Sequence, residues 1–176
     1  MKNLFNRLLL LIILFVSCKV ENSEVKKESI YDYNENVILG DPINIIISEG
    51  EKVIYKIESD KLVDSLNNIL LSGGVAIAVF EDDGSKINDI YSNKAIVYNK
   101  SDSMSAYGNV KIISSINGDE LFTEKIMLYN KTRSVVSKEE VLFINNKDSL
   151  KGIGFWSDFD MENWKIEKPI GAIIKD

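Results

Sequence analysis

Few residue types in this sequence could carry out chemistry. The chain of 176 residues has no histidine and a single cysteine, Cys18. The absence of histidine removes the usual general base, the commonest metal ligand and every histidine-dependent triad. Because Cys18 directly follows an apolar N-terminal segment, we expect neither a cysteine nucleophile nor a cysteine-rich zinc site. No glycine-rich phosphate loop opens a helix.

Carboxylates are the remaining candidates for chemistry. Asp82-Asp83-Gly84 lies between two strand-like runs, where Asp and Gly are ordinary turn residues. Asp158 and Asp160 could bind a cation or act as an acid–base pair, but loop carboxylates are usually solvated. The sequence therefore predicts no enzyme, no metal site and no cofactor.

Residues 1–17 have the pattern of a secretory signal peptide. A positively charged start precedes an unbroken apolar run, Leu8 to Val16, which is too short to cross a bilayer as a helix. Cys18 comes next, and it is either an odd thiol or the lipid acceptor of an exported lipoprotein. The segment Leu14–Cys18 resembles a lipobox, with Phe15 where that motif usually has Leu. We therefore expect a lipid anchor on Cys18.

The charge balance limits the classes of partner that the chain is expected to bind. The formal net charge is −6, and the predicted signal contains only positive charges, so its removal leaves a more acidic chain. This argues against nucleic acid and against attachment to anionic lipid through a basic patch. Membrane attachment is therefore expected through lipid on Cys18. Residues 18–38 predict a polar, flexible tether, and residues 39–176 predict one domain.

The elements that must position these residues are strands. From Gly40 onward, short runs with period-two alternation are separated by turn motifs such as Asn-Gly-Asp, which predicts β-strands joined by tight turns. Leu62 to Leu70 has helix-like spacing, but Asn67-Asn68 suits a hairpin turn, so strand is preferred. The only two prolines, Pro42 and Pro169, lie at the margins, where a β domain accommodates proline.

An internal repeat indicates how the strands are arranged. Residues 98–110 align without gaps on residues 129–141, and both segments begin with Tyr-Asn-Lys. Residues 73–77 resemble residues 108–112 in the same way. The alternative is chance similarity in a sequence rich in Asn, Lys and Ser. A true repeat predicts stacked strand–turn–strand units, each completed by its neighbours.

Such a stack predicts a rolled or folded sheet with an apolar interior. A groove between apolar sheet faces is a natural receptor for acyl chains, because each buried methylene contributes about 0.8 kcal/mol. The alternative role of every inward residue is ordinary core packing. The groove candidates are Ile45, Ile47, Tyr55, Ile57, Val75, Ile77, Val110, Ile112, Leu128, Val141 and Phe143.

Several blocks of sequence carry a resemblance to a known family. They are Ser72–Val75, Phe80–Gly84, Lys151–Phe155, Ser157–Met161 and Trp164–Ile166. The most specific part is the Gly-x-Gly-Phe strand followed by an aspartate-rich tail and Trp-x-Ile. In these blocks the chain resembles the LptC family of lipopolysaccharide export, which is related to the OstA-like repeat proteins.

The resemblance implies an all-β fold, a β-jellyroll or "β-taco" of stacked antiparallel strands, in the periplasm. It also implies partners: the permeases of an inner-membrane ABC transporter and an OstA-like (LptA-like) bridge protein. Between them, the protein would accept lipopolysaccharide or a similar glycolipid by its acyl chains. The best-known members are held by a transmembrane helix, whereas lipid on Cys18 would anchor this chain. The inner membrane is expected, with the outer membrane as the alternative.

The open ends of such a sheet invite strand addition by a partner. The edge expected to meet a bridge protein is the segment Gly152, Ile153, Gly154, Phe155 and Trp156. A rival function is that of a structural or surface lipoprotein acting as scaffold or adhesin. A dry, closed core would favour that rival, and an open apolar groove would favour lipid transfer. A β-sandwich hydrolase is disfavoured by the missing histidine.

Lipidation of Cys18 is directly testable. Cells fed radiolabelled fatty acid should label the wild-type chain but not the Cys18→Ser variant, because the thiol is the acceptor atom. Equal labelling of the two chains would show that the lipoprotein interpretation is wrong.

Overall fold

The computed structural model describes residues 35–145 and 148–174, and these residues form nine β-strands. No helix in the described part of the chain is long and apolar enough to span a bilayer. The predicted signal peptide and Cys18 lie outside the described residues. The strands are β1 (Glu35–Glu49), β2 (Lys52–Ser65), β3 (Asn68–Phe80), β4 (Lys86–Tyr98), β5 (Ser103–Ser114), β6 (Glu120–Tyr129), β7 (Ser134–Asn145), β8 (Asp148–Asp158) and β9 (Trp164–Ile174).

The strands form one antiparallel sheet in sequence order, so each strand pairs with the next one along the chain. Within the described residues the sheet does not close, and β1 and β9 are its edges. The all-β prediction is therefore confirmed. Pro42 lies in β1 and Pro169 lies in β9, so both prolines occupy edge strands, as expected.

β1 begins before residue 39, at which the sequence places the start of the domain. Glu35–Leu39 belongs to β1 and pairs with Lys61–Ser65 of β2. These five residues do not alternate between apolar and polar, so the sequence does not identify them as a strand, and the domain boundary itself stays a prediction.

Each pair of neighbouring strands has a register shift near its middle. β-bulges of this kind bend a strand and increase its twist. Gly73 and Gly74, with φ of 90° and 91°, occupy the shift in β3, and Gly108, with φ of 74°, occupies the shift in β5. We call the line of shifts the crease, and it divides every strand into two halves.

The strand halves on either side of the crease are named the first arm and the second arm. The first arm ends in turns at residues 50–51, 81–85 and 115–119. The second arm ends in turns at residues 66–67, 99–102, 130–133 and 159–163.

The repeats found in the sequence occupy equivalent places in the fold. Tyr98 and Tyr129 are the last residues of β4 and β6, each before a four-residue turn. The turns end at Asp102 and Arg133, which share a left-handed backbone with φ of 48° and 45°. The other repeat match places Gly73-Gly74 and Gly108-Asn109 at the crease, again with positive φ in every residue. Chance similarity does not explain this correspondence.

The ambiguous stretch around Leu62 to Leu70 is a hairpin. β2 ends at Ser65 and β3 begins at Asn68, with Leu66-Asn67 as the turn. The preference for strand over helix is confirmed.

Close approach of two strands makes Gly152 sensitive to substitution. An added Cβ would lie 2.3 Å from Ile166 Cγ2 and 2.7 Å from the Lys168 carbonyl oxygen of β9. Overpacking of this kind costs about 1–3 kcal/mol, so Gly152→Ala should lower the free energy of unfolding by that amount in urea titrations. Gly171→Ala is the control, because nothing lies within 4 Å of its Cβ position. Equal stability of the two variants would contradict the close β8–β9 packing.

Candidate functional site

One row of apolar residues crosses the whole sheet on its inward face in the first arm. Each member is the direct register partner of the next, from one edge strand to the other. The row consists of Ile45, Ile57, Ile77, Ile90, Ile112, Leu121, Phe143, Leu150 and Ala172. The interior is therefore lined by apolar side chains without a polar interruption along this row.

All eleven groove candidates predicted from the sequence lie on this interior. Nine of them are at most 3% exposed, and Ile45 and Ile47 are half-buried against the same core. The rings of Phe143 and Phe155 are 5.4 Å apart, and Trp164 lies 4.6 Å from Phe143. The predicted inward direction of these residues is confirmed. Whether they contact a ligand stays a prediction, because they are packed against one another here.

Half-buried apolar residues pack against this interior at both ends of the sheet. Ile43, Ile45 and Ile47 of β1 are half-buried at one end. Leu150, Trp164 and Ile166 are half-buried at the other end, near β9. Ile54, Ile69 and Val97, in β2, β3 and β4, are half-buried as well, so partial exposure is not confined to the ends.

The tips of the two arms meet, and we call this meeting line the mouth. Arg133, in a turn of the second arm, forms an ion pair with Glu81, in a turn of the first arm. The guanidinium of Arg133 also lies 5.2 Å from the ring centroid of Phe159, which gives a cation–π contact. The mouth is therefore closed by contacts between residues that are 52 positions apart in sequence.

Two further hydrogen bonds cross the mouth. The Tyr55 hydroxyl donates to Asn130 Oδ1, and burial raises the pKa of Tyr55, so this hydroxyl remains a donor at physiological pH. Asn88 Nδ2 donates to the carbonyl oxygen of Phe159. Asn88 Oδ1 is buried without a hydrogen-bond partner among the described residues. These polar groups lie between the apolar interior and the solvent.

A cavity of about 560 Å³ opens beside the mouth. Its apolar wall is Ile54 and Phe159, and its charged groups carry both signs in equal number. Lys52 pairs with Asp82 at 2.6 Å, and Asp102 accepts a hydrogen bond of 2.8 Å from Asn130. The cavity therefore has no net preference for an anion. Its lining residues are Glu49, Lys52, Ile54, Asp82, Asp102, Asn130, Lys131, Arg133 and Phe159.

The carboxylates considered for chemistry lie in turns or, for Asp158, at the last residue of β8. Asp83 Oδ1 accepts a hydrogen bond of 2.8 Å from the backbone N–H of Ser85. Asp158 accepts two hydrogen bonds from Asn163 at 3.1 and 2.7 Å, which shapes the turn between β8 and β9. Among the described residues, no three His, Cys, Asp or Glu side chains are grouped as a metal site would require.

The segment predicted as the partner edge is not an edge of the described sheet, and its contact with a bridge protein stays a prediction. Gly152, Ile153, Gly154, Phe155 and Trp156 lie in β8, which pairs with β7 on one side and β9 on the other. Phe155 is a core residue, whereas Trp156 and Ile153 are exposed on the outer face. The free edge at this end of the described sheet is β9.

Sequence reasoning missed the residues of the mouth. Contacts between Glu81 and Arg133 join turns from distant hairpins, and no local pattern reports such a pairing. One signal was present: period-two extrapolation from Ile90 places Asn88 inward, and a polar residue in an inward row is unusual.

These features define a class: an open antiparallel β-sheet folded along a crease around an apolar interior, consistent with a β-jellyroll. The family model described as "Lipopolysaccharide-assembly, LptC-related" matches residues 8–168. The chain belongs to this family. A comparison with curated proteins finds no match.

Membership of this family indicates a general role for the chain. The family acts in lipopolysaccharide transport, as a transport component and not as a known enzyme. Its members are periplasmic and associated with the inner membrane, and they bind lipopolysaccharide and other transport components.

Proposed function

We propose that this chain carries lipopolysaccharide or a similar glycolipid by its acyl chains in the interior of the folded sheet. It takes the lipid from an inner-membrane ABC transporter and passes it to an OstA-like bridge protein. The observation that supports this best is the apolar row from Ile45 to Ala172, which crosses every described strand. An acyl chain that lies along such a row exchanges its contacts with water for contacts with apolar side chains. This burial contributes about 0.8 kcal/mol of binding free energy per methylene.

The proposal requires the interior to open. Its central residues are packed to near-complete burial, so an acyl chain enters only where side chains separate. The mouth is the natural place, because its contacts are polar side-chain pairs and not a continuous backbone ladder. The half-buried ends at β1 and β9 are where lipid passes to and from neighbouring proteins.

In this scheme lipid on Cys18 holds the protein at the inner membrane, close to the transporter. A chain anchored by acyl groups needs no membrane-spanning helix of its own, although a single acyl chain alone gives only reversible attachment. The outer membrane remains the alternative location for the anchor.

The packed interior supports a second candidate function. A scaffold or adhesin needs a rigid β-stack, and a filled core provides one. The two functions differ in whether lipid ever reaches the inward residues, which is the basis of the next two experiments.

A photo-crosslinking amino acid at position 112 should capture lipopolysaccharide in cells, whereas the same group at position 111 should not. Ile112 is fully buried on the inward face, and Lys111 points outward because successive strand residues face opposite sides. The adducts are detected with lipopolysaccharide antibody after illumination. Adducts at neither position, with a protein partner captured instead, would favour the scaffold.

Locking the mouth should block lipid entry. Cysteines at positions 81 and 133, joined by a short bismaleimide, would tie the two arms together across the ion pair. We expect the lipid adduct at position 112 to fall to the level seen at position 111. The matched control joins positions 111 and 120, an ion pair of 2.8 Å within the first arm. Undiminished adduct in the locked protein would show that lipid enters elsewhere.

A further inference from the structure

A second cross-strand row lies on the outer face of the second arm. Its members are direct register partners across all nine strands, and seven of the nine are apolar. The row is Val37, Val63, Leu70, Ile96, Ser105, Met127, Val136, Trp156 and Lys165. Val37, Leu70 and Trp156 are 41%, 37% and 43% exposed, whereas Ser105 in the middle of the row is fully buried and hydrogen-bonds the Tyr107 hydroxyl, so the row reaches solvent on either side of Ser105. We call it the outer apolar row.

Exposed lysines lie next to the outer apolar row, between that row and the crease. Lys61, Lys94 and Lys125 occupy the adjacent outward row of the sheet, where register places Tyr107 between Lys94 and Lys125. Lys138 joins them at the bulge in β7, and it lines an outer cavity of about 210 Å³ together with Lys125, Met127 and the acidic residue Glu139. All four lysines are exposed.

Most lysines of the first arm have a carboxylate partner, and Lys56 is the exception among the described residues. Lys86, Lys111 and Lys151 form ion pairs with Asp89, Glu120 and Glu140 at 2.7, 2.8 and 2.5 Å.

No residue in the described part of the chain forms an ion pair with Lys61, Lys94, Lys125 or Lys138. Lys125 instead lies 5.1 Å from the centroid of the Tyr107 ring. The second arm therefore presents cations that are not neutralised by a bound carboxylate.

Amphipathic aromatic residues border the same face. Tyr129, which is exposed, ends β6 beside Met127 on the outward side, and Trp156 belongs to the row itself. Tyrosine and tryptophan are the residues enriched where a protein meets the boundary between acyl chains and lipid headgroups.

We infer that the outer face of the second arm rests on an anionic phospholipid surface, with the outer apolar row toward the acyl chains and the lysines among the headgroup phosphates. This contact is additional to lipid carriage in the interior and does not depend on it. The sequence argues against attachment through a basic patch from net charge alone, whereas the structure places four lysines on one face, and screening over about 8–10 Å limits the influence of charges elsewhere on the chain. The nearest carboxylates in sequence, Asp60, Glu124 and Glu139, lie at the crease.

The shape of the face favours a membrane over a protein partner. Eight strand spacings of about 4.8 Å give the row a length of roughly 38 Å, and the outer cavity at Met127 and Val136 covers only a small part of it. An apolar row edged by unpaired lysines and aromatics matches the layering of a bilayer surface. A peptide or helix would need a groove of comparable length.

The two tryptophans of the chain allow a direct test. The full chain is reconstituted in vesicles of phosphatidylcholine, with or without phosphatidylglycerol, that contain lipids brominated on the acyl chains. The Trp164→Phe variant leaves Trp156 as the emitter, on the outer apolar row. The Trp156→Phe variant leaves Trp164, which is half-buried against Phe143. We expect bromine to quench Trp156 at least about twofold more than Trp164, and only with phosphatidylglycerol present.

A charge reversal supplies the matched control. Lys94→Glu should abolish the extra quenching of Trp156, whereas Lys56→Glu on the first arm should leave it unchanged. Both lysines are exposed and neither has an ion-pair partner among the described residues. Circular dichroism melts of each variant verify the fold before quenching is compared.

Three outcomes would overturn the inference. They are equal quenching of the two tryptophans, quenching that is independent of phosphatidylglycerol, and equal effects of Lys94→Glu and Lys56→Glu. A photo-crosslinker at Met127 that captures a protein and no phospholipid in cells would assign the face to a protein partner instead. None of these results bears on lipid capture at position 112, so the two proposals fail separately.

Discussion

The inward apolar row from Ile45 to Ala172 is the constraint on which the rest of the structure depends. A nine-stranded sheet with one apolar face must bury that face, and the described chain has no helix layer or second sheet to cover it. The sheet therefore covers itself. Bending all strands at one line brings the inward faces of the two arms together, and the hydrophobic gain of about 25 cal/mol per Å² drives this closure.

Folding a continuous sheet requires every strand to bend near the same line. Glycines with positive φ angles allow some of these bends. Gly73, Gly74 and Gly108 have positive φ angles. This left-handed backbone conformation is energetically unfavourable for any residue that has a side chain. A Cβ on Gly108 would also lie 2.8 Å from Asn93 Nδ2 of the neighbouring strand. Because equivalent positions of the repeated units bend, the neighbouring strands keep their ladders on both sides of the crease. The sequence repeat therefore corresponds to a backbone bend that recurs at the same position of each repeated unit.

Local sequence patterns predict most of the fold but only part of the candidate site. Alternation identified the inward residues, since burial on one sheet face imposes period two. The alignment of residues 98–110 with 129–141 identified equivalent turns. The sequence indicates Gly152–Trp156 as the last strand, because β9, with Glu167, Lys168 and Pro169 in its middle, shows little alternation. The contacts of Arg133 with Glu81 and of Asn88 with Phe159 depend on how far the arms close, which no local pattern reports.

Under the proposed function, the same residues serve as core in one state and as lipid contacts in another, and the weak contacts of the mouth are compatible with this. The side chains of Arg133 and Glu81 are 37% and 35% exposed, so their ion pair contributes little beyond about 1 kcal/mol. Most of the cost of opening is apolar surface returned to water. An acyl chain of about twelve carbons offers roughly 9 kcal/mol of apolar burial, at about 0.8 kcal/mol per methylene, against that cost. In that scheme a lipid stabilises the open interior by replacing contacts between the arms, and its departure lets the arms close without a separate source of energy.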